Sequence, residues 1–94
     1  MKVKIGTEAM KVNRLTVSVP CSQTREQLTI YVDALIEEAQ ARGATCSLPL
    51  EIPSQIERAE VFTRDGFIVR YLQAWNAVKN EFVARMDLQY QEAA

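Results

Sequence analysis

The sequence predicts an α+β fold, a small two-layer sandwich of about three strands packed by two main helices and ending on a long amphipathic helix. Three observations carry that reading: short stretches of strict apolar/polar alternation, a helix start with capping chemistry after Pro20, and an apolar stripe through the last third of the chain. The implied element order is β-β-α-β-short α-α. A chain of 94 residues forms one domain, 1–94, with room for a modest core.

Residues 1–5 alternate, Val3 and Ile5 against Lys2 and Lys4, the period of a half-buried strand. A loop follows Gly6, and residues 14–19 alternate again, with Leu15, Val17 and Val19 inward and Arg14, Thr16 and Ser18 outward. Met10 and Val12 are out of phase with this set, so an earlier start requires a bulge near Asn13. The two stretches are expected to pair as a hairpin.

Pro20 ends the second strand. Thr24 followed by Gln27 fits a capping box, in which hydroxyl and amide each satisfy one free backbone N–H, and Ser22 competes for the cap. The helix then runs over 24–42, with Leu28, Tyr31, Val32, Leu35, Ile36 and Ala39 on one face, and Gly43 supplies its left-handed terminator. Residues 45–52 alternate as a strand with Cys46, Leu48, Leu50 and Ile52 on one side; Pro49, lacking an N–H, belongs at an edge or bulge. The helix between them has crossover length, so if strands 14–19 and 45–52 are neighbours in one sheet they are parallel with a right-handed connection.

Ser54 and Glu57 suggest a short helix over 55–62. Asp65-Gly66, between AEVFT and FIVRY, is instead the signature of a type I′ hairpin turn. The stripe Ile68, Tyr71, Leu72, Trp75, Val78, Phe82, Met86 and Tyr90 steps by three and four residues, and its length favours one helix over 66–91 with Asp65 as N-cap. Its first half, centred on Trp75, reads as core. Such a helix spans roughly 39 Å, longer than the roughly 32 Å diameter of a compact domain this size. Its overhanging end makes Phe82, Met86 and Tyr90 the expected partner-binding residues, most simply for a second copy in a homodimer.

Composition narrows function by exclusion. With 48 % hydrophobic and 24 % charged residues the chain is neither disordered nor low-complexity. It has no histidine, which removes the usual general base near neutral pH and the commonest zinc ligand. No apolar run reaches the roughly 18 residues of a membrane span, and the start lacks the apolar run of a secretory signal, so a cytoplasmic protein with reduced Cys21 and Cys46 is expected. Cys21 sits near a helix N-terminus, but Arg25 follows too closely for a Cys-x5-Arg phosphatase loop and the turn has no glycine. The pairs Glu37/Glu38 and Glu57/Glu60 have no converging partner. The expectation is therefore a non-enzymatic protein–protein interaction or regulatory accessory module with no cofactor, no metal and no membrane. Residues 1–25 carry five basic groups against Glu8, a local excess of +4 that leaves −5 for the rest. The alternative is accordingly a nucleic-acid-binding protein using Lys2, Lys4, Lys11 and Arg14 on the N-terminal hairpin. An enzyme using Cys21 is third.

Overall fold

The computed structural model describes residues 11–92. They form an antiparallel sheet covered on one face by a single helix, in the order β1 (Lys11–Val19), α1 (Arg25–Ala41), β2 (Ser47–Leu48), β3 (Arg58–Arg64), β4 (Phe67–Asn76) and β5 (Glu81–Glu92). The strands run β1-β5-β4-β3 across the sheet. β2 pairs with β5 at Gln89 and Tyr90, in line with the start of β4, and is tied there by Ser47 N–H to the Gly66 carbonyl (3.2 Å) and by the Ile68 N–H to Ser47 Oγ.

This corrects the expected two-layer sandwich with its long C-terminal helix. Residues 66–91 are two strands joined by a turn at 77–80. Asp65 and Gly66, at φ 53° and 83°, form the two-residue turn between β3 and β4, closing on the pair Arg64 and Phe67. Asp65 is therefore a turn residue and not an N-cap. The short helix expected at 55–62 is likewise replaced, from Arg58 onward, by β3. The physical reason is the match between a left-handed turn and the right-handed twist of its flanking strands, reinforced by β-branched and aromatic residues in FIVRY.

Other expectations fall out more simply. Helix α1 starts as expected: Thr24 Oγ1 accepts from the Gln27 N–H at 3.1 Å while Gln27 Oε1 accepts from the Thr24 N–H at 2.8 Å. Gly43, at φ 91°, ends it. β1 runs in unbroken register with β5 from Lys11 to Val19, so no bulge is needed at Asn13, and Val12 is simply exposed on the outer face. The strand expected over 45–52 contracts to Ser47–Leu48, and Cys46 is exposed. β1 and β2 are both antiparallel to β5 and hence parallel to each other, but β5 separates them. The strand expected over 1–5 lies outside the described residues.

The core lies between α1 and the sheet. Val19 of β1, Phe62 of β3, Phe67, Val69 and Tyr71 of β4, and Ala84, Met86, Leu88 and Tyr90 of β5 face the helix, which presents Leu28, Val32, Leu35, Ile36 and Ala39. The central strand β4 is also covered behind: Arg70 and Leu72 are buried on the outer face, where residues 49–56 pass over the sheet. A strand buried on both faces reads as a continuous apolar run.

Candidate interaction surface at the β4–β5 hairpin

The radius of gyration is 15.4 Å, with principal extents of 56 × 27 × 18 Å, against about 12 Å for a compact chain of this length. The β4–β5 hairpin runs past its neighbouring strands. β1 ends at Val19, opposite Ala84, and β3 begins at Arg58, opposite Gln73. Beyond those points the pairs Ala74/Val83, Trp75/Phe82 and Asn76/Glu81 continue as a two-stranded ribbon with no outer strand on either edge among the described residues.

Local chemistry builds the tip. Asn76 Oδ1 accepts from the Lys79 N–H at 3.0 Å, bracing the turn from its own side chain, and Asn80 takes the left-handed conformation (φ 57°) that returns the chain into β5. Trp75 and Phe82 are directly opposite on the helix-side face but lie past the footprint of α1. Their rings meet edge to face, centroids 5.1 Å apart and planes at 78°. Trp75 remains 53 % exposed, Phe82 43 % and Val78 96 %. On the side where β1 ends, a groove of about 590 Å³ runs along this ribbon, with Pro20, Cys21, Ile56, Leu72 and Val83 among its lining residues.

Of the residues expected to bind a partner, the structure leaves Phe82 at the surface. Met86 and Tyr90 are buried beneath α1 and belong to the core. Trp75, expected to be a core residue, is instead exposed. Of the basic set, Lys2 and Lys4 lie outside the described residues, Lys11 opens β1 opposite Glu92, and Arg14 is exposed with its Nη2 donating to Gln89 Oε1 at 2.9 Å.

On the helix-side face, polar groups tie α1 to the sheet. Glu60 on β3 accepts from Arg25 of α1 at 2.8 Å and from Arg58 two residues away, and Arg25 also lies 4.1 Å from the Phe62 ring centroid. The hydrogen bond from Arg25, helped by Arg58 and opposed by partial burial, holds the Glu60 carboxyl below the usual glutamate range. A lowered folded-state value means that Glu60 stabilises the fold fully above the unfolded value of about 4.3 and that this contribution is lost as pH falls through the folded value. Urea unfolding should therefore show wild type more stable than Glu60→Gln at pH 7, with the gap closing on the acid side of pH 4. A gap that stays constant to pH 3 would count against it.

Glu38 pairs with Arg42 at 2.8 Å, and Cys21 and Cys46 are free thiols. Among the described residues no group of three or more His, Cys, Asp or Glu side chains is placed to hold a metal, and no helix is long and apolar enough to cross a membrane. Comparison of the chain with protein-family models, curated proteins and solved structures found no match.

Proposed function

We propose that this protein is a non-enzymatic interaction module that self-associates through its β4–β5 hairpin. The observation that supports this reading is the exposed Trp75/Phe82 pair on a ribbon that no other strand or helix among the described residues covers. An isolated two-stranded ribbon is marginally stable in water, and two large aromatic side chains on one of its faces favour a covering surface. A second copy supplies one of matching shape: a two-fold axis beside the tip sets Trp75 and Phe82 of one protomer against the same residues of the other, a self-complementary contact. A heterologous partner would need an apolar pocket of its own.

The single tryptophan makes the proposal measurable. On raising the concentration, sedimentation equilibrium should report a dimer and the Trp75 emission should shift to the blue as its ring leaves water. Phe82→Glu should leave far-ultraviolet circular dichroism unchanged, abolish dimerisation and keep the emission red-shifted. A wild-type mass of one chain at millimolar concentration overturns the proposal, as does a dimer that persists in Phe82→Glu.

A further inference from the structure

Independently of the hairpin, we infer that the outer face of the sheet carries a binding site for a carboxylate attached to a short apolar group, between Arg14 and Arg85 and beneath residues 49–53. These residues enclose a cleft of about 520 Å³ whose floor is polar and whose wall is apolar. On the floor, Arg14 of β1 stands opposite Gln89, and Arg85 of β5 stands opposite Ser18. The two arginines thus lie four residues apart along one face, roughly 13 Å at the rise of a strand, a span their long side chains can close from both ends. Between them sit Arg70 and Asp87, directly paired across β4 and β5.

The charges in this cleft do not cancel. Arg70 Nε and Nη2 donate to Asp87 Oδ1 and Oδ2 at 2.9 and 2.7 Å, which occupies both carboxylate oxygens and neutralises that pair. Arg85 Nε approaches Asp87 Oδ2 at 3.6 Å, and Arg14 is held by the neutral Gln89. Two exposed guanidinium groups therefore face the cleft with donors to spare, countered among the described lining residues by Glu51, itself exposed. The wall is preformed. Arg70 Nη1 donates to the Glu51 carbonyl, fixing the strap to the sheet, and Pro49 and Pro53 restrict its ends. Leu50 and Ile52 line the cleft beside the arginines, with Ile52 42 % exposed. A donor fork next to an apolar wall selects a carboxylate bearing a hydrocarbon group over a bare oxyanion. The end of a peptide chain and a free aliphatic acid both have that chemistry.

The test uses the whole chain and follows the arginine Nε–H signals by NMR at constant ionic strength, with acetate, hexanoate, N-acetylleucine and inorganic phosphate as probes. Saturable shifts at Arg14 and Arg85, about tenfold tighter for hexanoate or N-acetylleucine than for acetate, are expected from burial of the apolar part. The tighter of these two assigns the source, a free aliphatic acid or a peptide C-terminus. Both arginines are exposed enough for Arg14→Gln/Arg85→Gln to fold, and it should weaken binding at least tenfold, about one step in free energy per decade. Ile52→Asn should remove the preference for hexanoate while leaving acetate unchanged. No saturable shift, phosphate binding as tightly as hexanoate, or unaltered binding in the double variant would each overturn the assignment.

Discussion

Asp87→Ala is expected to remove about 3–5 kcal/mol of stability, a large part of what a domain of this size possesses. Asp87 is 1 % exposed and Arg70 6 %, and the two form a fork-to-fork ion pair across the sheet's central strands. Deleting the carboxylate does little to the packing but strands a guanidinium where water reaches it poorly. That uncompensated charge is the origin of the loss. The pair itself need not be stabilising, because its mutual attraction roughly offsets the cost of desolvating both groups. Arg70→Met/Asp87→Leu should accordingly recover most of the loss, to within about 1 kcal/mol of wild type, while releasing the strap whose Glu51 carbonyl Arg70 holds. Urea unfolding of the two single variants and the double variant closes the cycle. A loss under about 1 kcal/mol in Asp87→Ala would mean that water already solvates the pair.

The same two strands show where the sequence was legible and where it misled. Helix α1 and the inward set Leu15, Val17 and Val19 could be read directly, because a capping box and a clean alternation are local signals. β4 and β5 were misread for a geometric reason. Residues four apart share a face in a strand and nearly so in a helix, so Phe82, Met86 and Tyr90 satisfy both periods. The residue that separates the readings is Leu88. It is fully buried and completes the alternation Met86, Leu88, Tyr90, which the three-and-four stripe passes over. β4 concealed its period differently, by being buried on both faces over residues 69–72. The Asp65-Gly66 signal points to the turn that forms, against that accidental stripe. The sequence places Phe82 at the surface as the overhanging end of a long helix, whereas it is exposed because the ribbon outruns α1. The convergence of Arg14, Arg70 and Arg85 on one cleft is not legible in the sequence, since it depends on the register of β1, β5 and β4.

Met86→Glu and Phe82→Glu should separate the two pictures more sharply than any other pair of changes. On a protruding helix both substitutions would break assembly and leave a folded monomer. In the sheet they part company. Met86 is fully buried, opposite Val17 and Tyr71 and beneath α1, whereas Phe82, four residues earlier on the same face, is 43 % exposed. Truncating a buried methionine alone costs about 2–5 kcal/mol, and a carboxyl group without a partner adds a penalty of several more, as the buried charge or as the work of protonating it. The total approaches the whole stability of a typical small domain, about 5–15 kcal/mol. Met86→Glu is therefore expected to lose its cooperative thermal transition and its native circular dichroism, and Phe82→Glu to keep both. Met86→Leu, which conserves volume, should stay within about 1.5 kcal/mol of wild type, placing the effect of glutamate in its charge and not in the loss of a methionine-specific contact. A folded Met86→Glu monomer would refute the burial of this face under α1, and with it the register that sets Trp75 and Phe82 side by side at the tip.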